Sequence, residues 1–325
     1  MKGEGLKHWA TTVIAMLACC AGIAAAQSYP NRAIRLVVPS SPGGGTDIIG
    51  RIVAQKLSEQ LGQQVVVENR AGAGTIIGNE AVAKAAPDGY TLLMGLSTLA
   101  INPSMYAKLP YDALRDFAPV SQAVSSPNIL TIHPSVPAKT VKEFIALARA
   151  KPGSITFGSA GMGTSPHLSG ELLKTLGKID MVHVPFKGSG QSVISQLAGE
   201  IAANFPSVPT AMPYIKANRL RGLGVTTPKR TQALPDVPSI AEAGVPGYEA
   251  TQWFGVLAPA GTPRPIIDRM HQEIVRALRT ADVKERITAE GMEVVASSPE
   301  EFAGYIKSET DKWTKVIKSA GIKPQ

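Results

Sequence analysis

The sequence predicts an α/β fold built as two lobes, and three observations carry that prediction. Apolar runs of strand length alternate with segments of helical periodicity through most of the chain. Glycine-rich turns follow two of the strand-like runs and lead directly into helix patterns. Of the 325 residues, the 299 that follow the N-terminal segment stand near the limit of roughly 250 to 300 at which a single hydrophobic core stops growing.

Ile34 to Val38 reads as a buried strand, and Ile48, Ile49, Ile52, Val53, Leu57 and Leu61 then recur at helical spacing. Val65 to Val67 is β-branched, Ile76 to Ala86 favours helix, and Tyr90 to Met94 is again strand-like. This β-α-β-α-β order predicts a parallel sheet covered on both faces. The alternation repeats. Asn128 to His133 reads as a strand, and a helix follows from Val141 behind the Thr140-x-x-Glu143 capping box. Next come Ser154 to Phe157 as strand, a helix with Ser165 as N-cap and Pro166 first, Met181 to Val184 as strand, a helix near Gln191 to Leu197, and Ile201 to Phe205 as strand. The last third is more helical. Pro263 to Arg279 places Ile266, Ile267, Met270, Ile274, Ala277 and Leu278 on one face, and the Ser298-Pro-Glu-Glu301 capping box opens a helix carrying Phe302, Ile306, Trp313 and Ile317. Helices in that position are expected to return to the first lobe. The expected boundaries are 27–127 with 255–325 for lobe 1, and 128–254 for lobe 2.

The ends and composition restrict the function classes. Lys2 and Lys7, the small and apolar Ala10 to Ala18, and Ala24-Ala25-Ala26 form the pattern of a secretory signal over residues 1–26, with cleavage expected near Ala26. The apolar run is shorter than the roughly 20 residues of a spanning helix. A lipoprotein signal with Cys19 or Cys20 acylated is the alternative, and Met16 fits it poorly. Both cysteines lie in this segment, so the exported chain is expected to carry no thiol chemistry. The formal net charge is +8, spread without a basic run of the kind a nucleic-acid arm needs. A smooth positive field instead favours small anions.

The loop Pro39-Ser-Ser-Pro-Gly-Gly-Gly-Thr-Asp47 suggests an anion site. Gly45-x-x-x-x-Gly50 is followed by Arg51-Ile52, not by the Lys and hydroxyl residue of a nucleotide P-loop. Neither Gly43-x-Gly45 nor Gly72-x-Gly74 gains the third glycine of a dinucleotide loop. What remains is either a tight turn or a backbone cradle in which free amides open a helix toward a carboxylate. Gly158-Ser-Ala-Gly-Met-Gly-Thr-Ser-Pro-His167 has the same character in the second lobe. One such loop per lobe is what a ligand held between lobes requires. Gly158-Ser159-Ala160-Gly161 is not a G-x-S-x-G nucleophile elbow, and His133, His167, His183 and His271 form no metal motif. His167 is the histidine expected near a ligand, and a secreted hydrolase using Ser159 and His167 is the alternative function.

The stretches "PSSPGGGTDIIGR", "VVVENRAGAGTIIGNEAVAKAAPDGYTLLMG", "GSAGMGTSPHLSGEL", "HVPFKGSGQSVISQLAGEI" and "LPDVPSIAEAGVPGYEATQWFGVLAPAGTP" resemble the Bug, or tripartite tricarboxylate transporter, family of extracytoplasmic solute receptors. The resemblance runs from about Tyr29 to the C-terminus. It implies a type II periplasmic-binding-protein architecture, with two α/β lobes that close around a mono-, di- or tricarboxylate or an amino acid. It also implies a carboxylate held by backbone amides and waters from two loops, here Ser41, Gly43, Gly44, Gly45, Thr46 and Asp47, and Ser159, Ala160, Gly161, Thr164 and Ser165. Ser97, Thr98, Lys187 and Gly188 are implied to border the cleft. Two departures stand out: Ala202 and Pro206 replace acidic positions common in relatives, and Gly188-Ser-Gly-Gln191 replaces a Gly-Ala-Pro loop. The loss of acid argues for a di- or tricarboxylate or an aromatic acid over an amino acid. The expectation is a monomeric periplasmic receptor, not an enzyme, needing no cofactor or metal and binding no nucleic acid. Some family members serve a transporter with two membrane subunits.

Overall fold

The computed structural model describes residues 29–186 and 188–324. The expected signal segment, with Cys19 and Cys20, and Lys187 lie outside the described residues. Strand β1 (Ile34–Val38) has four of its five side chains fully buried and leads through the glycine loop into α1 (Gly45–Leu61). That helix stops where Gly62 turns left-handed at φ +65° and donates its N–H to the Ser58 carbonyl, the usual glycine C-terminus. Strand β2 (Val65–Asn69), α2 (Ile76–Ala83), β3 (Thr91–Leu96), α3 (Thr98–Met105) and β4 (Phe117–Ser126) follow. The chain then enters a second sheet through β5 (Ile129–Ile132), α4 (Val141–Ala150), β6 (Thr156–Ser159), α5 (Ser165–Gly177), β7 (Val182–Pro185), α6 (Ser189–Leu197), β8 (Ala203–Asn204), α7 (Val208–Lys216) and β9 (Arg221–Val225). It returns by β10 (Gln252–Pro259), α8 (Arg264–Leu278), α9 (Ala281–Ala289), β11 (Glu293–Val294) and α10 (Pro299–Ser319).

Both sheets are mixed. The first runs β11-β4-β10-β3-β1-β2, with β1 parallel to β2 and β3 but β10 antiparallel to β3 and β4. The second runs β7-β6-β8-β5-β9, with β6 parallel to its neighbours and β5 antiparallel to β8 and β9. The expected β-α-β runs give the parallel pairs. The antiparallel strands β4, β5 and β10 lie beside the passages between sheets, where no crossover helix dictates direction. Strand β10 opens at Gln252, so the boundary expected at 254–255 falls inside it.

The last helix departs from expectation. Helices α8 and α9 pack on the first core through Ile267, Met270, Ile274, Val283 and Ile287. Helix α10, opened by its Ser298/Glu301 capping box, puts Phe302 and Ile306 against the first sheet but Trp313, Val316 and Ile317 into the core of the second. Helix α3 also reaches across, because Ile101 and Met105 belong to that second core. Together α3 and α10 form an apolar strut between the lobes, with Ser104 Oγ and Thr314 Oγ1 2.7 Å apart on its surface. No helix of the described residues is long and apolar enough to cross a membrane.

Candidate functional site

The first glycine loop is shaped by Asp47. Gly43 sits at φ +84°, in the left-handed region that glycine enters without strain. Its N–H donates to Asp47 Oδ2 at 2.9 Å, while Arg51 Nε donates to the same oxygen at 3.0 Å and Asn69 Nδ2 donates to Oδ1 at 2.9 Å. Burial alone would raise the Asp47 pKa, but the Arg51, Gly43 and Asn69 donors outweigh it and hold it at about 2. The carboxylate is therefore ionised and fully committed to the loop. The amides of the first turn of α1 are left without an intrahelical acceptor, and the N-cap is Gly44, whose missing side chain cannot cap them.

The second loop is held by a buried pair of imidazoles. Gly161 N–H donates to Ser159 Oγ at 3.0 Å, Thr164 Oγ1 donates to the Gly161 carbonyl at 2.7 Å, and Gly163 N–H donates to His167 Nδ1 at 3.0 Å. Ser159 Oγ also lies 2.7 Å from His183 Nε2, and the His183 ring stacks on His167 with centroids 4.0 Å apart. Burial, then the neighbouring His183 and Lys174 charges, lowers the His167 pKa to about 3. Burial and Lys174 lower His183 to about 4. Both rings are neutral near pH 7, and for His167 the Gly163 donation to Nδ1 requires an unprotonated nitrogen there. Gly161 at φ +125° and Gly163 at φ +72° give the turn its shape.

These two loops line one cleft of about 510 Å³ between the lobes. Five helices begin on it: α1 at Gly45, α3 at Thr98, α5 at Ser165, α6 at Ser189 and α7 behind its N-cap Ser207. None of the five N-caps accepts a side-chain hydrogen bond from its helix. The described helices that do carry side-chain caps, α4 through Thr140 and α10 through Ser298, begin elsewhere. Helix N-termini are each worth about 0.3 to 1 kcal/mol to an anion, and up to about 2 when partly buried. No Lys, Arg or His side chain lines the cleft among the described residues. Among the described lining residues, the groups that favour an anion are oriented peptide dipoles.

Of the expected site residues, Gly43, Gly44, Gly45, Thr46, Ser97 and Thr98 line the cleft from the first lobe, and Ala160, Thr164 and Ser165 from the second. Asp47, Ser159 and His167 are 3%, 0% and 2% exposed and stand behind the loops as supports, not on the cleft wall. Ser41, Gly161 and Gly188 also lie off that wall, though Ser189, next to Gly188, is on it. The Ser159–His167 pair of a hydrolase is not formed. Ser159 is sealed beneath the loop against His183, while His167 spends Nδ1 on the Gly163 amide. Sequence reasoning missed Asn128, Ser207, Thr210, Gln252 and Phe254, together with Glu290 and Met292 of the α9–β11 turn. Ser207 and Thr210 flank another strand-to-helix turn and carried the same signal as the two glycine loops. The other residues carry no local signal, because strand crossing and the α9–β11 turn bring them together only in the folded chain. Among the described residues no group of His, Cys, Asp and Glu is placed to hold a metal ion.

Comparison with known proteins places this geometry. Residues 49–322 match the family described as the tripartite tricarboxylate transporter family receptor. A protein of the tcbD-tcbE intergenic region of Pseudomonas sp. strain P51 is 42% identical over 89% of this chain and 87% of its own. Protein BugT of Bordetella pertussis is 39% identical over 96% of this chain and 97% of its own. Among solved structures, Rpa4515 of R. palustris with adipate superposes with a TM-score of 0.79 at 36% identity, covering 92% of this chain and all of that one. MatC of Rhodopseudomonas palustris with bound malate gives 0.75 at 31%, covering 89% of this chain and all of that one. The chain belongs to the tripartite tricarboxylate transporter receptor family.

Proposed function

We propose that this protein is a periplasmic receptor that captures a small organic acid, a di- or tricarboxylate or an aromatic acid, between its lobes for uptake or sensing. The observation that carries the reading is the convergence of five helix N-termini without side-chain caps on one cleft free of cationic side chains among the described residues. Such a wall favours a carboxylate over a cation or a neutral sugar. The adipate and malate held by two structural neighbours support the same ligand class. Contacts from both lobes exist together only when the cleft is closed, so an acid bound to both favours closure and presents an altered surface to a partner. On this reading the chain is exported by a signal segment cleaved near Ala26, acts as a monomer, and delivers its ligand to the membrane subunits of a tripartite transporter.

A thermal-shift screen of carboxylates, amino acids and sugars on the exported chain tests the reading, followed by titration of the buried Trp253 and Trp313 emission. One or more carboxylates should raise Tm in a concentration-dependent way, as ligand binding to the folded state alone requires. A screen in which only sugars or cations raise Tm would sink it.

A further inference from the structure

The cleft contains one charged side chain among the described residues that line it, and its sign is unexpected. Glu290 is half-buried on the cleft wall, in the α9–β11 turn. Local structure does not explain it. Glu290 is the C-cap of α9, where the helix dipole disfavours a negative side chain. Its i−4 neighbour Arg286, the natural ion-pair partner, points away and donates to Gln55 Oε1 at 3.1 Å. The other acid at the opposite end of α9, Asp282, is paired with Lys56 at 2.9 Å, whereas the Glu290 carboxylate makes no ion pair or hydrogen bond among the described residues. The neighbouring Gly291, at φ +64°, abuts Pro209 of the second lobe so closely that a Cβ there would lie 2.8 Å from Pro209 Cδ. The turn that carries Glu290 therefore touches the start of α7 across the cleft.

Beside the turn that carries this carboxylate, part of the wall is apolar. Phe254 and Met292 lie under Gly45, whose added Cβ would meet Met292 Cε at 3.2 Å and Phe254 Cζ at 3.4 Å, and Ile48, Leu96 and Pro209 also line the cleft. The wall thus offers helix N-termini for an anion, an apolar patch, and a hydrogen-bond acceptor of full negative charge.

We infer that Glu290 is a specificity-determining residue that selects acids carrying, besides the bound carboxylate, a hydrogen-bond donor such as a hydroxyl or phenol. This rests on the carboxylate reading above and, within it, ranks hydroxy and phenolic acids above dicarboxylates that carry no such donor. A second carboxylate beside Glu290 faces a like charge, and one charge-assisted hydrogen bond separates the two kinds of ligand by about tenfold or more. Ala202 and Pro206 are not on the cleft wall, and Glu290 is the acid on that wall among the described residues.

The test is calorimetric titration of the exported chain with two matched sets: hexanoate, 6-hydroxyhexanoate and adipate, and benzoate, 4-hydroxybenzoate and terephthalate. In at least one set the hydroxy acid should bind at least about tenfold tighter than both its parent and its dicarboxylate. In Glu290→Gln and Glu290→Ala, shown by Tm to remain folded, that preference should collapse and the dicarboxylate should gain affinity. A wild-type preference for the dicarboxylate, or a hydroxy preference that both variants retain, overturns the role of Glu290 and leaves the carboxylate reading standing. Absence of binding by all six acids, in a protein that a sugar or cation stabilises, overturns both.

Discussion

At the scale of single residues, the site is a set of supports hidden behind a backbone surface. Asp47 gathers Arg51, Asn69 and the cleft-wall amide of Gly43, while its own carboxylate stands behind the wall. Asp47→Asn replaces an acceptor of three donors by a group that is itself half donor, so it should cost about 1 to 3 kcal/mol of stability by denaturant titration and weaken acid binding. An unchanged midpoint would show that the loop holds its shape without this carboxylate. Because the folded Asp47 pKa lies below the ordinary 3.8, its stabilisation is present above pH about 3.8 and is lost as pH falls through about 2. The imidazoles act over a higher window. His167 and His183 are lowered from 6.5 to about 3 and about 4, so unfolding takes up protons below pH 6.5. Their stabilisation is full above 6.5 and declines toward pH 4, reaching a loss of about 1 to 2 kcal/mol per ring at pH 5. His183→Gln should flatten this slope between pH 7 and 5, and an equal slope in the variant would contradict the assignment. None of these supporting roles was legible from sequence. The glycines and hydroxyls marked the loops, but the partners of Asp47 and His167 are set by three-dimensional packing.

The elements explain what could be read and what could not. Helices with strong signals, α4 and α10, begin where their capping boxes predict, at Thr140 and Ser298. The segments with mixed signals were missed. Strand β4 carries Pro119 and weak alternation, β9 carries Gly222 and Gly224, and α3 and α7 contain Pro103 and Pro213. Proline and glycine lower local propensity, and tertiary packing overrides that preference here. The strut formed by α3 and α10 is a consequence of the same packing. Trp313 is 2% exposed in the second core, its indole N–H donates to Glu309 Oε2 at 2.9 Å, and Lys312 pairs with the same carboxylate. Burial raises the Glu309 pKa even though Lys312 and Trp313 pull it down. Trp313→Ala should therefore cost about 3 to 5 kcal/mol, read by denaturant titration, because it opens a cavity and strips a buried carboxylate of one donor. A loss below about 1 kcal/mol would mean that α10 is not a structural strut.

At the scale of the whole molecule, two mixed sheets present their loops to one cleft, and helix orientation supplies the partial positive charge that no described side chain lining the cleft carries. The two-lobe α/β fold was legible because alternation and length are global signals. The complete cleft was not, because Gln252, Phe254 and Glu290 reach it from the returning segment of the chain. Gly291 is the position that tests whether lobe approach matters. Gly291→Val places side-chain atoms against Pro209 and forces a left-handed φ, so it should lower ligand affinity about tenfold or more while costing about 1 to 2 kcal/mol of stability. Unchanged affinity in titration would mean that the lobes need not approach further at this turn. The most direct measurement of the central claim is a crystal structure of the exported chain with the acid that gives the largest thermal shift. The expected result is a carboxylate within hydrogen-bond distance of first-turn amides of α1 and α5, with contacts to both lobes. A carboxylate bound outside the cleft, or held there by cationic side chains in place of the helix N-termini, would contradict it.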